Sequence, residues 1–347
     1  MNRANQEQRN VMICNGRKEI HNVKASPNRS KSVDAARLCR RQQKDIQKSH
    51  IEPKSLEDYG LHFQNDKLVS IIDGKPFEFH VSPNTEDNFE RYNAIGRLVT
   101  NYIYDLLEKE CHLKRITIPL KPNKSEPTGF FFASDNYNRA EYLMIIIHGT
   151  GAVRAGQWSR RLIINENLTI GSQLDYIKQA RMDNYGVIVM NTNLNKDESS
   201  GSNHNVEQRI RGSSCAEEHA CYIWENFVRL CQARHICIMA HSYGGAVVLE
   251  LAVKYTIEFN IGVFAVALTD SPMKTYTKHV KKDVLTMLKK RTINWVADNH
   301  TVNTHLANRD YGEIRSAGHL LHEWTSHTAF PHIFKFFEDE RKKLRMI

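Results

Sequence analysis

The chain has 347 residues, of which 41% are hydrophobic and 25% are charged, which is the composition of a folded globular protein. No apolar run approaches the ~20 residues that a membrane-spanning helix requires, and no secretory signal is recognisable, so we expect an intracellular protein that does not bind membranes. The seven cysteines include no C-x-x-C pair, so we expect free thiols, with neither disulfides nor a metal site.

The positive charge is concentrated at the N-terminus. Residues 1–50 hold 12 Lys and Arg against 4 Asp and Glu, a net charge of +8, whereas the other 297 residues hold 36 against 35. Few residues of this arm are apolar, so it cannot bury enough surface to offset its ordering entropy, and we predict a disordered basic arm. Such an arm binds nucleic acid, directs nuclear import or is only a soluble tail, and its composition leaves these alternatives open.

From residue 51 the pattern alternates between strands and helices. Residues 61–80 predict an antiparallel hairpin, and residues 88–111 predict a long amphipathic helix. Further strands are predicted at residues 113–118, 130–133, 142–148, 186–190, 235–240 and 262–268, and further helices at residues 172–183, 216–233 and 244–256. This alternation indicates one α/β domain, residues 51–347, with a mostly parallel sheet covered by helices on both faces. Residues 191–214, rich in Asn and Ser, predict a surface insertion.

The strongest local signal is the segment HICIMAHSYGGAVVLEL, residues 235–251. An apolar strand is followed by a tight turn and an apolar helix, which is the context of a nucleophile elbow with Ser242 as the nucleophile. The positions two before and two after that serine must be small, and they are Ala240 and Gly244. The alternative is a serine buried at a tight turn with no chemical role.

A nucleophilic serine needs an imidazole base and an orienting acid, which follow it in the order acid, then histidine. Asp270 comes directly after a predicted strand and is the candidate acid, although an Asx turn before Ser271-Pro272 is an alternative role for it. His322 is the preferred base, and His319 on the same predicted loop is the second choice. Residues 322–327 read H-E-x-x-x-H, one residue longer than the zinc-binding helical pattern, so zinc is not expected.

The loop HGTG, residues 148–151, follows a predicted central strand, where this chemistry needs donors for an oxyanion. The candidate donors are the backbone N–H groups of Gly149, Thr150 and Tyr243. The loop lacks the third glycine of a dinucleotide fingerprint and the lysine of a P-loop, so no cofactor is expected. Three arginines follow this loop and either hold an anionic substrate or fasten the loop through acidic partners: Arg154, Arg160 and Arg161.

Several segments together resemble one protein family. YLMIIIHGTGAVRAGQWSRRLIINENL, MAHSYGG, VALTDS and SAGHLLHE are similar, in this order, to the argonaute-binding domain family, whose animal members are cotranscriptional regulators. The resemblance covers roughly residues 52–340. It implies an α/β-hydrolase-type fold and a nuclear role in small-RNA-dependent heterochromatin formation or alternative splicing, with argonaute and chromatin or splicing proteins as partners. It also puts the family's candidate nucleophile on Ser242, its acid on Asp270 and its His-Glu pair on His322-Glu323.

Two functions follow from these observations. The resemblance favours a regulatory adaptor built on a hydrolase scaffold, located in the nucleus, with a cytoplasmic pool as an open alternative. The residues themselves keep an active serine hydrolase as the second hypothesis, because nucleophile, acid, base and donor loop occur in the required order. Its substrate would be an ester, a thioester or an amide, and the fold alone does not choose between the two hypotheses.

Overall fold

The computed structural model describes residues 54–196 and 208–346. The predicted basic arm, residues 1–50, and the middle of the predicted insertion therefore lie outside the described residues. The described part contains a two-stranded hairpin, a nine-stranded sheet and the helices that pack around that sheet. None of these described helices combines the length and the apolar character needed to cross a membrane.

The elements follow one another in an α/β succession. The strands are β1 (Leu61–Gln64), β2 (Lys67–Ser70), β3 (Leu113–Ile118), β4 (Gly129–Ser134), β5 (Tyr142–Ile147), β6 (Gly186–Val189), β7 (His235–His241), β8 (Val263–Thr269), β9 (Thr292–Val296), β10 (His305–Arg309) and β11 (Gly312–Ser316). The α-helices are α1 (Thr85–Lys109), α2 (Arg160–Asn165), α3 (Leu168–Gly171), α4 (Leu174–Met182), α5 (Ala216–Asn226), α6 (Gly244–Lys254), α7 (Thr256–Gly262), α8 (Met273–Tyr276), α9 (Lys282–Lys289) and α10 (Thr325–Leu344).

The large sheet has the strand order β10-β11-β9-β8-β7-β5-β6-β4-β3. The strands from β11 to β6 pair in parallel, and the antiparallel pairs lie at the two edges. Every residue of β5 is buried, and alternate side chains of this strand enter two different cores. Met144 and Ile146 pack in one core, and Leu143, Ile145 and Ile147 pack in the other. The predicted α/β fold, a mostly parallel sheet covered on both faces, is confirmed.

Two helices differ from their predicted extents. The helix predicted at residues 216–233 ends at Asn226 and is followed by a 3-10 turn, Val228–Leu230. The helix predicted at residues 244–256 is interrupted at Tyr255, whose φ of −116° and ψ of 41° are not helical, and a separate helix follows it. Apolar periodicity continues across such a break, so it does not reveal where one helix ends and the next begins.

The described ends of the predicted insertion are partly buried, with exposed residues such as Lys196 and Arg211 beside buried ones. Among them, Asn191 and Ser213 have no more than traces of exposed surface. The fully buried His219 of α5 joins the two: its Nε2 accepts the Asn191 N–H at 3.0 Å, and its Nδ1 lies 2.8 Å from Ser213 Oγ. Ser213 Oγ donates to the Leu194 carbonyl at 2.9 Å, so the hydrogen in its contact with His219 comes from Nδ1. Asn191 and Ser213 therefore belong to the core.

Candidate functional site

Ser242 lies directly after β7, in the backbone conformation that a nucleophile elbow requires. Its φ is 54°, in the left-handed region that residues other than glycine rarely adopt. The helix α6 begins two residues later at Gly244, where an added Cβ would lie 3.0 Å from the Ile147 carbonyl oxygen. A larger residue at this position would push the helix away from the neighbouring strand. Ser242 itself is half-buried, so its hydroxyl is not sealed in the interior.

Asp270 occupies the matching position after β8, and its carboxylate is held by two donors. Oδ1 accepts the Ala297 N–H at 3.0 Å, and Oδ2 lies 2.6 Å from His322 Nδ1. Neither donor belongs to the turn after Asp270, and Pro272, two residues on, has no N–H to donate, so the carboxylate does not form the alternative Asx turn. Burial works against ionisation, but the hydrogen bonds from His322 and Ala297 outweigh it and lower the pKa of Asp270 below its ordinary value. The side chain is therefore a carboxylate at neutral pH.

The two candidate bases lie in different surroundings. His322 begins the 3-10 turn His322–Trp324, and its Nδ1–H donates to Asp270, which leaves Nε2 as the proton acceptor. His319 instead stacks on Trp324, with ring centroids 4.8 Å apart, and its Nδ1 accepts the Leu321 N–H at 3.1 Å. Of the two histidines, only His322 contacts the candidate acid.

The candidate nucleophile and the candidate base do not form a hydrogen bond in this structure. Within residues 54–196 and 208–346, the Ser242 hydroxyl makes no hydrogen bond, either to His322 or to His319. Catalytic hydrogen bonds are commonly long without substrate and tighten in the complex. The arrangement thus has an acid–base pair already formed and a serine hydroxyl that no other described residue holds.

The predicted oxyanion donors are available. In the described part of the chain, the backbone N–H groups of Gly149, Thr150 and Tyr243 donate to no other residue. Gly149 also lies against the nucleophile, because a Cβ added to it would be 3.0 Å from Ser242 Cβ. The loop after β5 and the turn after β7 therefore present unpaired donors beside one serine, as stabilisation of a negatively charged oxygen requires.

Sequence reasoning did not assign a role to His241, the residue before the nucleophile. Its ring is buried, with its centroid 4.6 Å from that of His322. Its Nδ1 lies 3.1 Å from Thr269 Oγ1 and 3.3 Å from Ser326 Oγ, which ties the end of β8 to the start of α10. Burial lowers the pKa of His241 to about 3, so it stays neutral and puts no positive charge beside His322. Successive side chains along a strand point to opposite faces of the sheet. This alternation is the sequence signal that could have indicated that His241 is buried next to the candidate nucleophile.

Two of the three arginines after the donor loop fasten the structure. Arg161 forms two hydrogen bonds with Glu323, Nε to Oε1 at 3.0 Å and Nη2 to Oε2 at 2.5 Å. Arg160 donates to Asn93 Oδ1 at 3.1 Å, which joins α2 to α1. Of the two roles considered for these arginines, the contacts of Arg160 and Arg161 fit fastening of the structure rather than binding of an anionic substrate. Arg154 donates to the carbonyl of the residue before it at 3.1 Å.

Comparison with known proteins gives matches over most of the chain. The Arb2 domain matches residues 52–302. The cotranscriptional regulator ARB2A homolog of Gallus gallus is 35% identical over 336 residues, which cover 83% of this chain and 80% of that protein. Cotranscriptional regulator ARB2A of Homo sapiens is also 35% identical, over 83% of this chain and 80% of that protein. The Dictyostelium discoideum homolog is 28% identical, over 84% of this chain and 81% of that protein.

Two solved structures align with the described fold at low identity. The histone deacetylase Clr3 matches with a TM-score of 0.48 and 14% identity, over 78% of this chain and 41% of that chain. A histone deacetylase from Saccharomyces cerevisiae matches with a TM-score of 0.48 and 15% identity, over 71% of this chain and 97% of that chain.

Proposed function

Because this chain belongs to the Arb2 domain family, we propose that it is a nuclear regulatory protein, like the relatives named cotranscriptional regulators, and that its body carries a serine-hydrolase site. The 2.6 Å contact between Asp270 Oδ2 and His322 Nδ1, beside a serine in a left-handed turn, is the observation that supports the site. Argonaute and chromatin or splicing proteins are its proposed partners. Nucleic-acid binding through residues 1–50 stays a separate prediction.

The proposed chemistry is acyl transfer to water. Ser242 Oγ attacks the carbonyl carbon of an ester, thioester or amide while His322 Nε2 takes the hydroxyl proton, and Asp270 stabilises the imidazolium that forms. The backbone donors of Thr150 and Tyr243 bind the carbonyl oxygen as it becomes negative. The leaving group departs with the proton from His322. Water then attacks the acyl-serine by the same proton route, which releases the acid and restores the serine.

A fluorophosphonate probe tests the hydrolase half of the proposal. The full chain should be labelled, and Ser242→Ala should not be labelled while its folding is unchanged. Ser271→Ala is the matched control, because the Ser271 hydroxyl is buried and has no hydrogen-bond partner among the described residues. That variant should be labelled at the rate of the unmodified protein. Properly folded protein that takes no label would contradict an activated serine, and labelling of Ser242→Ala would contradict its assignment as nucleophile.

The regulatory half is tested by location and by partner capture. The full chain, tagged and expressed in cells, should accumulate in the nucleus and co-purify with argonaute from nuclear extract. Ser242→Ala should co-purify equally well, because an adaptor surface does not depend on the nucleophile. Exclusion from the nucleus or failure of the unmodified chain to capture argonaute would contradict the adaptor. Loss of capture in the folded Ser242→Ala variant alone would show that recruitment depends on the site.

A further inference from the structure

The donor loop after β5 is held by a side chain from the segment after β6. Asn193 Nδ2 lies 3.0 Å from the Gly149 carbonyl oxygen, 3.2 Å from that of Gly151 and 3.0 Å from that of Val153. Carbonyl oxygens only accept hydrogen bonds, so the amide nitrogen, not its oxygen, must face the loop. One side chain thus gathers three carbonyl groups on the same side of the loop.

The hydrogen bond from Asn193 to the Gly149 carbonyl sets the direction of the Thr150 N–H, a candidate oxyanion donor. In a trans peptide the C=O and the following N–H point in opposite directions. Because the Gly149 carbonyl points to Asn193, the Thr150 N–H of the same peptide points away from it. That N–H donates to no described residue, and its neighbour Gly149 lies against Ser242, since a Cβ added to Gly149 would be 3.0 Å from Ser242 Cβ.

A buried histidine adds a second donor to the same carbonyl. His148 Nδ1 lies 2.8 Å from the Gly149 oxygen, which only accepts, so this nitrogen carries the hydrogen. Burial lowers the pKa of His148 to about 4, and the ring is neutral. Rotation of the Gly149–Thr150 peptide would therefore break two hydrogen bonds, one to His148 and one to Asn193.

We propose that Asn193 is a positioning residue, which holds residues 149–153 so that the Thr150 N–H faces the oxygen of the acyl group attacked by Ser242. The inference rests on the proposed hydrolase site. Asn193 acts through the loop carbonyls and does not touch the substrate.

Asn195 provides a matched control. It carries the same amide two residues further along, and its Nδ2 also donates to two carbonyls, Thr192 at 3.0 Å and Ser213 at 2.9 Å. Both asparagines are half-buried. Neither contact of Asn195 reaches the donor loop, so Asn195→Ala removes equivalent hydrogen bonds from the same segment without freeing the Gly149 carbonyl.

Turnover of p-nitrophenyl acetate tests the catalytic consequence. Asn193→Ala should lower kcat by about 10- to 100-fold with KM within about twofold, because a misdirected donor weakens binding of the transition state rather than of the substrate. Asn195→Ala should change neither constant by more than about twofold. If Asn193→Ala does not fold, Asn193→Gln, whose longer side chain moves the amide off the three carbonyls, takes its place. An unchanged kcat in the folded variant would overturn the role in catalysis.

Amide hydrogen exchange tests the hold on the loop without reference to activity. The loop amides of Arg154 and Ala155 donate to Gln157 Oε1 at 3.4 Å and to Asn191 Oδ1 at 3.0 Å. These two amides should exchange about tenfold faster in Asn193→Ala than in the unmodified chain and should be unaffected in Asn195→Ala. Unchanged exchange would overturn the inference even in an active enzyme. If the unmodified chain neither hydrolyses esters nor takes the fluorophosphonate label, the proposed hydrolase falls, and faster exchange in Asn193→Ala still establishes that Asn193 holds the loop.

Discussion

The backbone N–H of Ser242 donates to the carbonyl oxygen of Thr269 at 2.9 Å, which ties the turn after β7 to the residue before Asp270. Ser242 and Asp270 both have left-handed backbones, with φ of 54° and 44°. Each such residue costs about 1–3 kcal/mol and persists only where the surroundings hold it. Strain at equivalent positions on two adjacent strands turns both side chains out of the sheet at the same edge, which a catalytic pair requires.

Replacement of the acid should abolish most turnover while the fold is kept. In Asp270→Asn an amide can still accept the Ala297 N–H, but it no longer fixes the proton of His322 on Nδ1 or stabilises the imidazolium. We expect kcat to fall by about 10⁴-fold with little change in KM, measured with p-nitrophenyl acetate. Fluorophosphonate labelling should slow in parallel.

The control for this variant is a second carboxylate–histidine pair. Asp298 Oδ1 lies 2.7 Å from His300 Nδ1, an arrangement of the same kind that is not part of the candidate triad. If the chain is a hydrolase as proposed, Asp298→Asn should leave kcat within about twofold of that of the unmodified chain. Equal losses in the two variants would mean that Asp270 has only a structural role.

A methyl group at the elbow should destabilise the protein. A Cβ on Gly245 would lie 1.9 Å from Ser271 Oγ and 2.8 Å from Ser271 Cβ, so α6 or the segment after Asp270 must move. We expect Gly245→Ala to lower the free energy of unfolding by about 1–3 kcal/mol in urea titrations, although alanine favours helix more than glycine does.

Gly262, at the end of α7, is the control for Gly245, because it is also a helical glycine but an added Cβ there would clash with nothing. A Cβ there would meet its nearest neighbour, Ile236 Cδ1, at 3.7 Å, an ordinary contact. Gly262→Ala should leave the free energy of unfolding unchanged or raise it by up to about 1 kcal/mol. A Gly245→Ala protein as stable as Gly262→Ala would disprove the close approach of α6 to Ser271.

Local signals were sufficient to predict the central strands of the sheet and the tight turn at Ser242. The all-apolar β5 and the strand–turn–helix at Ser242 carry their structure in consecutive residues, and the elbow backbone agrees with the pattern. The half-exposed edge strand β10 has no comparable periodicity and is not among the predicted strands. Polar composition does not reveal that Asn191 and Ser213, at the two ends of the insertion, are buried, because their polar groups are satisfied by His219 inside the core.

The features that the sequence did not predict depend on contacts between segments that are distant along the chain. The resemblance ranked His322 above His319, but their chain positions alone do not separate them, because both follow the last strand. In the structure, His322 and not His319 contacts Asp270. Asn193 contacts Gly149 across 44 residues, and neither sequence neighbourhood suggests the pair. Hydrogen bonds of this kind depend on which loops the sheet brings together, so they appear only when the strand order is known.

Buried histidines should make the protein less stable in mild acid. Burial lowers the pKa of three of them, His148 to about 4 and both His219 and His241 to about 3, from an ordinary value of 6.5. Below that value the unfolded chain binds protons that the folded chain does not, so the free energy of unfolding falls as the pH falls from about 6.5 to 4.

The size of this effect follows from proton linkage. Between about pH 7 and about pH 5 each histidine should remove about 2 kcal/mol from the free energy of unfolding, measured by urea titration at each pH. His219→Gln removes one of the three and should reduce the pH dependence by about a third, whatever its effect on stability at neutral pH. A free energy of unfolding that stays constant over this range would rule out neutral buried histidines.

The ion pair beside the base should contribute more than a comparable surface pair. Arg161 and Glu323 are about one-quarter exposed, with side-chain exposures of 24% and 25%, and they join α2 to the turn that carries His322. Arg229 and Glu258 form the same two-bond arrangement, but 45% and 42% of their side chains are exposed.

Double-mutant cycles measure both couplings. Arg161→Met combined with Glu323→Gln should give a coupling energy of about 1–2 kcal/mol from urea unfolding, because two charge-assisted hydrogen bonds lie partly out of water. Arg229→Met combined with Glu258→Gln should give less than about 1 kcal/mol, since solvent screens an exposed pair. Breaking the first pair should also lower kcat, because the turn no longer keeps His322 against Asp270, whereas breaking the second should not. Equal couplings, or equal effects on kcat, would show that the Arg161–Glu323 pair has no particular part in positioning the base.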